Sequence, residues 1–304
     1  MLCVSKQIAL VTGATGFVGS HLTRRLVEAG WDVHLIMRPA SNLGLLQAIE
    51  NDVKVHLYNG ETETMHAILK DAAPTVVFHF ASLFLAQHEP KDVEPLIRSN
   101  VLFGTQLLDA MAANGVCHLI NTGTSWQHYE NQHYNPVCLY AATKQAFESI
   151  LTFYTEMTHL KAVTLKLFDT YGPNDPRKKL FFLLRKAASE DERVAMSPGE
   201  QYVDMVYIDD VVDAFILAAE RIRTDCSAKS EAFIVSSGRP VKLRDLADVY
   251  SRVTGVCLPI DWGGRPYRLR EVMNPWSGGI RLPGWEPKIG LEEGIRRMER
   301  IHAV

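Results

Sequence analysis

The stretch VTGATGFVGSHL, residues 11–22, decides the fold, because it sets Gly13, Gly16 and Gly19 between a short apolar run and a helical pattern. Glycines at this point let the backbone turn sharply and approach a pyrophosphate closely. The helix that follows then offers free N–H groups and a positive dipole end to the anion. The stretch therefore predicts a dinucleotide-binding turn. Its remaining predicted contacts are Thr15, Phe17 and Val18.

Outward from this turn, short apolar runs alternate with helical patterns through the first 168 residues. The predicted strands are Ile8–Thr12, Val33–Met37, Val53–Tyr58, Val76–His79, Leu119–Thr122 and Val163–Phe168. The predicted helices are Val18–Ala29, Leu96–Asn114 and Tyr140–His159. Apolar strands that alternate with helices are typical of a parallel sheet buried on both faces. The sequence therefore predicts an α/β fold with a Rossmann-type, doubly wound parallel sheet.

Prolines and glycines interrupt the pattern after residue 168. We expect a Rossmann domain of residues 1–168, to which residues 203–237 return, and a smaller C-terminal substrate-binding part of residues 169–202 and 238–304. A strand-to-helix unit, Val206–Arg221, is predicted to rejoin the sheet, followed by the strand Ala232–Ser236. The remaining chain reads as irregular until a closing helix at Leu291–His302.

The end of the second strand, HLIMRPASN at 34–42, bears on the cofactor. NAD-binding Rossmann domains usually carry an acid here, which accepts hydrogen bonds from the ribose hydroxyls. This chain has Arg38, with Ser41 and Asn42 just beyond. A guanidinium attracts a 2′-phosphate, so the sequence predicts NADP(H) in preference to NAD(H). The alternative is a surface arginine that stacks on adenine and accepts either cofactor.

Tyr140 and Lys144 form the only Y-x-x-x-K in the chain, at the start of a predicted helix. Residues four apart share a helix face, and a nearby ammonium is expected to lower the pKa of the phenol. The pair therefore predicts general acid–base catalysis at a carbonyl, with Lys144 also able to hold a ribose. The alternative is an amphipathic helix with an exposed lysine. Thr124 is the predicted third member, and Thr122 and Ser125 remain alternatives.

Together these residues resemble the extended short-chain dehydrogenase/reductase family, also called the NAD-dependent epimerase/dehydratase family. The resemblance runs through nearly the whole chain as an ordered series of motifs. They are TGATGFVGSHL at 12–22, FHFAS at 78–82, SNVLFGTQLL at 99–108, YAATK at 140–144, LKLFDTYGPNDPR at 165–177, VDMVYIDDVVDAF at 203–215 and GWEPKIGLEEGI at 284–295.

The resemblance implies a nucleotide-diphosphate sugar as substrate, since most of the family acts on such sugars. It further implies that residues 80–82 line the cofactor, that Asn100 supports the active site and contributes to the cofactor site, and that Phe168 flanks the nicotinamide. Homodimers built from the helices predicted at 96–114 and 140–159 are also common in the family. The three residues at 80–82 are Phe80, Ala81 and Ser82.

Departures from the family motifs reduce the number of family activities that the sequence is compatible with. Family dehydratases carry Asp-Glu after the active-site threonine, whereas Thr124 is followed by Ser125 and Trp126. The Cys and His pattern of the fucose-synthase type is also not matched around Cys138. A 4-epimerase that retains NAD and a 4-ketoreductase that exchanges NADPH remain, and Arg38 favours the second.

Several stretches look most like the CDP-dideoxyhexulose 4-reductases of the family. This subgroup resemblance implies reduction of the C4 keto group of a CDP-linked 4-keto-6-deoxy or 3,6-dideoxy hexose. One departure is Val203, which stands before Asp204 where many members have an arginine for the nucleotide. Candidate contacts to the diphosphate or base are Arg177, Lys178, Gln201, Arg265 and Arg268. The predicted substrate-binding set is Ser82, Thr124, Ser125, Arg177, Gln201 and Arg268.

Two other function classes are compatible with the sequence. One is a reductase of a small non-nucleotide carbonyl compound, and the other is an NADP(H)-binding redox sensor that has lost catalysis. The net charge of −3 argues against nucleic acid as a partner. His128 and His133 are not accompanied by other metal-binding residues at the spacing of a ligand set, so no metal site is predicted.

Location is inferred from the cysteines and from the apolar runs. The five cysteines are Cys3, Cys117, Cys138, Cys226 and Cys257. Their scattered spacing predicts reduced, mostly buried thiols and a cytoplasmic protein. The first residues do not resemble a signal peptide, and no apolar run reaches the length of a membrane span.

Overall fold

The computed structural model describes residues 7–190, 193–224 and 228–302. Its centre is a seven-stranded sheet in which all neighbouring strands are parallel, in the order β11-β6-β5-β4-β1-β2-β3. The strands of this sheet are β1 (Ile8–Thr12), β2 (Asp32–Met37), β3 (Val53–Leu57), β4 (Val76–His79), β5 (His118–Thr124), β6 (Lys161–Leu167) and β11 (Ser230–Val235). The predicted α/β Rossmann fold is confirmed.

The sheet is apolar on both faces because helices cover both. In β1, Ala9 and Val11 enter one core and Leu10 enters the other, as the two-residue period of a strand requires. The nine α-helices of the described chain are α1 (Phe17–Glu28), α2 (Thr62–Ala72), α3 (Val93–Ile97), α4 (Phe103–Ala113), α5 (Leu139–Met157), α6 (Leu180–Glu190), α7 (Ile208–Thr224), α8 (Leu243–Thr254) and α9 (Leu291–His302). Helices α1 and α7 pack on the first face, and α2, α4 and α5 on the second.

Three two-stranded sheets lie outside the central one in the described chain. They pair β7 (Asp169–Tyr171) with β10 (Met205–Tyr207), β9 (Tyr202–Val203) with β12 (Val241–Lys242), and β8 (Val194–Met196) with β13 (Ile260–Trp262). Helices α6, α8 and α9 add apolar side chains to the core beneath α1 and α7. The division into a cofactor domain and a substrate-binding part stays a prediction.

Two expectations for the second half of the chain are wrong. The strand of the Val206–Arg221 unit does not rejoin the central sheet but pairs with β7. The stretch after residue 238 is also less irregular than expected, since it contains α8, whose leucines join the core.

The helix predicted at Leu96–Asn114 is present, but it starts at Val93 and is not α-helical throughout. A π-helical turn at Arg98–Leu102 separates α3 from α4. The extra residue in this turn accompanies the buried side chain of Asn100, whose oxygen accepts the Leu83 N–H at 2.7 Å. Such π-turns are frequent at functional sites, and this one contacts the segment that follows β4.

The described cysteines are free thiols, but they are not mostly buried. Cys117 and Cys138 are half-buried and Cys257 is exposed, because all three lie in connections rather than inside core elements. Cys3 and Cys226 lie outside the described residues. None of the described helices combines the length and apolar character that a membrane span needs.

Candidate active site

The glycine turn after β1 owes its shape to two of its three glycines. Gly13 has a φ of +70°, and a Cβ added there would lie 2.6 Å from the backbone nitrogen of Ala81. A Cβ on Gly19 would lie 2.3 Å from the Gly13 oxygen. Gly16 is exposed, and a Cβ there would meet only that same oxygen, at 3.2 Å. The turn therefore has an open backbone face at Gly16, which fits a pyrophosphate.

The start of α1 carries the features of an anion site. Gly16 is its N-cap, no side chain caps the free N–H groups, and the first turn contains no acid. The ring of Phe17 is buried, with the Arg177 guanidinium 4.6 Å from its centre. Phe17 therefore offers a ligand its backbone N–H only, whereas Thr15 and Val18 are partly exposed.

Arg38 directly follows β2, at the carboxyl edge of the sheet where the glycine turn also lies. Its side chain is exposed, and it forms no ion pair within residues 7–190, 193–224 and 228–302. Asn42 caps the next turn, where its oxygen accepts the Gly44 N–H at 2.7 Å. The position holds a free cation and no acid, which fits a 2′-phosphate.

Tyr140 lies in the first turn of α5 and is 9% exposed. Its ring meets the ring of Phe84 edge-on, with the centroids 5.0 Å apart. Burial raises the pKa of the phenol above its usual value, the Cys138 thiol adds to that effect, and a hydrogen bond with the Ser82 side chain opposes it. The expected lowering of this pKa by Lys144 is wrong, because burial raises it and the opposing contributions come from Ser82 and Arg177. The phenol therefore stays protonated at neutral pH and is set up to donate a proton.

Lys144 is 3% exposed and lies one helical turn beyond Tyr140. Burial lowers the pKa of its ammonium to about 8, against the opposing charge of Glu148. In the described part of the chain no hydrogen-bond acceptor contacts this ammonium. A buried cation without an acceptor is costly, so the site fits a ligand that brings hydroxyl oxygens, such as a ribose.

The pKa of Lys144 predicts an alkaline limit to cofactor binding. In the free protein the ammonium loses its proton as the pH rises through about 8, so the Kd for NADPH should rise by about tenfold between pH 7 and pH 10. Fluorescence titration at each pH measures this. Lys144→Met should bind weakly at every pH and show no such rise. A wild-type Kd that is equal at both pH values would contradict the assignment.

Thr124 ends β5, and its hydroxyl accepts the Trp126 N–H at 3.3 Å. Its own N–H donates to the Gln127 side chain at 3.0 Å. Thr122 is a weaker alternative, since its hydroxyl is buried and has no hydrogen-bond partner in the described chain. Ser125 lines the adjoining cleft. Thr124 and Ser125 therefore both remain candidates to contact the substrate oxygen.

The segment after β4 connects the glycine turn to Tyr140. Ala81 packs against Gly13, and Ser82 contacts the Tyr140 phenol. The amide of Asn100 donates to the Leu83 oxygen at 3.0 Å and to the Thr143 hydroxyl at 2.9 Å. Since these bonds occupy the Asn100 side chain, it positions the segment. A direct contact between Asn100 and the cofactor stays a prediction, as does the role of Phe80.

A cleft of about 540 Å³ opens beside this segment. It brings together seven residues that were predicted from the sequence, namely Ser125, Phe168, Arg177, Lys178, Gln201, Arg265 and Arg268. Two of the cations are already paired, since Arg177 donates to both oxygens of Asp175 at 2.7 Å and Arg268 to those of Glu271 at 2.8 and 3.0 Å.

Several lining residues were not predicted from the sequence. Lys179 places its ammonium 4.7 Å from the centre of the Phe84 ring and 3.7 Å from Asp169. Trp126 and Trp276 form further walls. These side chains come from distant segments, and no spacing marks them as a group. The described residues contain no group of three or more His, Cys, Asp or Glu side chains placed to hold a metal ion.

A parallel sheet with a glycine turn after its first strand, and a buried Tyr-Lys pair at the same edge, defines a Rossmann-fold protein of the short-chain dehydrogenase/reductase type. The chain belongs to the NAD dependent epimerase/dehydratase family, whose profile matches residues 9–230. The resemblance stated from the sequence is thus confirmed.

Relatives align along almost the whole chain. It is 26% identical to a CDP-abequose synthase of Salmonella muenchen, over 98% of each protein. It is 27% identical to a UDP-glucose 4-epimerase of Mycolicibacterium smegmatis, over 95% of this chain and 96% of the relative. The structure of a Thermus thermophilus UDP-glucose 4-epimerase in complex with NAD superposes with a TM-score of 0.80 at 24% identity, over 95% of this chain and 97% of that one.

Proposed function

We propose that this protein reduces the C4 keto group of a nucleotide-linked 4-keto-6-deoxy or 3,6-dideoxy hexose, with NADPH as the reductant and CDP as the nucleotide. The observation that carries the proposal is the protonated phenol of Tyr140, whose ring packs against the cleft residue Phe84, with the Lys144 ammonium one helical turn further along α5. A phenol that keeps its proton is the correct partner for a carbonyl oxygen that gains negative charge.

When bound, the reduced nicotinamide supplies the hydride. Tyr140 donates its proton to the substrate oxygen, while Thr124 or Ser125 holds that oxygen in position. Lys144 binds the ribose hydroxyls, and the N-terminus of α1 binds the pyrophosphate. Closely packed side chains around Tyr140 exclude water from the reacting atoms.

The sugar is inferred from the relative and from the cleft. CDP-abequose synthase, by its name, makes a CDP-linked sugar, and it aligns along 98% of this chain. The cleft walls nearest Tyr140 include Phe84 and Trp126, which are in ring contact with each other at 5.6 Å. Aromatic walls suit a sugar ring that has lost hydroxyl groups.

A labelled hydride tests the reaction. With NADPH deuterated at the transferable C4 position, the product sugar should carry deuterium at its own C4, as read by NMR and mass spectrometry. Deuterium-free product, formed while the nucleotide-linked sugar changes its configuration, would contradict a net reduction.

The second candidate is a 4-epimerase that retains NAD. It is favoured by the similarity to a UDP-glucose 4-epimerase and by the NAD in a superposed structure. An epimerase returns the hydride to the same carbon, so it needs no external NADPH. The free guanidinium of Arg38 favours the reductase, since it suits a cofactor that carries a 2′-phosphate.

Arg38→Asp should reverse the cofactor preference. Removal of a phosphate contact and addition of a repelling charge should raise the KM for NADPH by about 30-fold, while the KM for NADH stays equal or falls. Steady-state kinetics with both cofactors measures the ratio. Lys70→Asp is the control, since Lys70 is exposed near the end of α2, away from the carboxyl edge of the sheet. An unchanged ratio for Arg38→Asp would disprove the 2′-phosphate assignment.

We also propose that the protein is a cytoplasmic homodimer. Large apolar side chains are exposed on α5 and on the helical stretch from α3 to α4, the elements through which family members were expected to pair. Contact with a second copy would remove this surface from water. The exposed residues are Val93, Ile97, Leu102, Phe153 and Met157.

A further inference from the structure

A largely buried polar cluster lies next to the cleft. Its central residue, Lys166, does not line the cleft, whereas its member His128 does. The Lys166 ammonium, on β6, lies 3.3 Å from the Glu148 carboxylate on α5 and 2.9 Å from Nε2 of His128. The side chains of Lys166 and Glu148 are 9% and 16% exposed. Gln127 joins them through Glu148. We call these four residues the Lys166 cluster.

One branch of the Lys166 cluster ends at Thr124. The Gln127 amide nitrogen donates to Glu148 Oε1 at 3.0 Å and to Gln145 Oε1 at 2.8 Å. The Gln127 oxygen accepts the Thr124 N–H at 3.0 Å. The turn that carries the Thr124 hydroxyl is thus tied to the Glu148 carboxylate, whose counter-charge is Lys166.

The other branch ends at the cleft wall. An ammonium can only donate, so His128 Nε2 accepts from Lys166 and its Nδ1–H donates to the Gln132 oxygen at 3.2 Å. The neutral ring stacks on Trp276, with the centroids 3.7 Å apart and the planes at 18°. The orientation of the Trp276 wall therefore follows that of His128, and through it that of Lys166.

The space around the cluster is closed. A Cβ added to Gly123, in β5, would lie 3.0 Å from Glu148 Oε1 and 3.1 Å from Lys166 Cγ. The last residues of β5 therefore run directly over the ion pair. A change in the ion pair therefore acts on the strand residue directly before Thr124.

We propose that Lys166 is a positioning residue, which fixes the Thr124 turn and the Trp276 wall relative to each other through its bonds to Glu148 and His128. The expected kinetic effects rest on the proposed reduction, whereas the contacts that define the cluster are independent of it. Without the ammonium, the half-buried Glu148 carboxylate keeps its bond from Gln127 but loses its ion-pair partner, and His128 Nε2 loses its donor, so both groups move to regain partners.

Lys166→Met tests this directly, with Lys166→Arg as the conservative variant. The kcat of Lys166→Met should fall by about 30-fold while the KM for the sugar changes less than about threefold, since loss of alignment acts on the reacting atoms. Lys166→Arg keeps the charge and should retain kcat within about fivefold. The matched control is Lys54→Met, which removes an exposed lysine paired with Asp32 and should leave kcat unchanged.

NMR gives a readout that does not depend on turnover. Burial first, and then the charge of Lys166, lower the pKa of His128 to about 4, while the His133 charge adds a smaller lowering and hydrogen bonds to the backbone of residues 132 and 133 oppose it. Lys166→Met should therefore raise the pKa of His128 measurably. Hydrogen exchange at the Thr124 amide should also become faster, because its acceptor Gln127 is no longer held.

The outcomes separate the two proposals. Unchanged kcat, His128 pKa and Thr124 exchange in Lys166→Met would overturn the positioning role, as would an Arg variant as impaired as the Met variant. If wild-type protein reduces no 4-keto sugar, the proposed function fails, and the two NMR measurements alone decide the role of Lys166. If Lys166→Met does not fold, the same measurements are read on Lys166→Met/Glu148→Gln, which removes both charges together.

Discussion

Tyr140→Phe is expected to lower kcat by about 10³-fold while the Kd for NADPH stays within about twofold, because proton donation contributes about 10²–10⁴ to such reactions. The substitution removes one oxygen and keeps the ring that packs edge-on against Phe84. Burial keeps the phenol protonated. Loss of the hydroxyl therefore removes a proton donor and does not remove a negative charge. Single-turnover kinetics with saturating NADPH separates the chemical step from binding.

Tyr154→Phe is the matched control for that substitution. Tyr154 lies on the same helix, and its hydroxyl donates to Asp109 at 3.1 Å rather than facing the cleft. Its loss should leave kcat within about twofold, since this part-buried hydrogen bond joins two helices and acts on stability. If Tyr140→Phe kept more than a tenth of the wild-type kcat, another group would have to supply the proton.

Gly13→Ala is expected to destabilise the fold by about 2–4 kcal/mol and to weaken NADPH binding by about 100-fold, because strain and collision add. The residue has a φ of +70°, which L side chains rarely adopt, and the new Cβ would lie 2.6 Å from the Ala81 nitrogen. The glycine turn and the segment after β4 must then separate, and both border the cofactor site. Denaturant unfolding and NADPH titration measure the two effects.

Substitutions at two other glycines distinguish the effect of backbone strain from the effect of a steric clash. Gly30 has a φ of +79° with nothing within 4 Å of an added Cβ, so Gly30→Ala should cost about 1 kcal/mol and leave the NADPH Kd unchanged. Gly19 has no positive φ, but its Cβ would collide with Gly13, so Gly19→Ala should weaken binding through contact alone. Equal NADPH affinity in Gly13→Ala and Gly30→Ala would show that the glycine turn does not bind the cofactor.

Most of the central sheet could be predicted from the sequence because it depends on local signals. Ile8–Thr12 and Val76–His79 were predicted with the bounds that the structure shows. Their apolar runs are buried on both faces, and the glycine turn fixes where the first helix starts. The Tyr-Lys pair was equally accessible, since a spacing of four on one helix determines which side chains share a face.

Other features depend on packing between distant segments, which spacing does not record. Met205–Tyr207 pairs with Asp169–Tyr171 outside the central sheet, and the π-turn at Asn100 is held by bonds to Leu83 and Thr143. The raised pKa of Tyr140 needed the burial that only the folded chain provides. Lys179 reaches the cleft for the same reason, from a segment with no recognisable motif.

The most direct test of the central claim is the stoichiometry of NADPH oxidation with freshly prepared CDP-4-keto-6-deoxy and CDP-4-keto-3,6-dideoxy hexoses, with the dTDP and GDP sugars as comparisons. One NADPH should be consumed for each CDP sugar reduced, and NADH should serve poorly. Interconversion of 4-hydroxy sugar isomers without any loss of NADPH would contradict the proposed reduction and establish an epimerase.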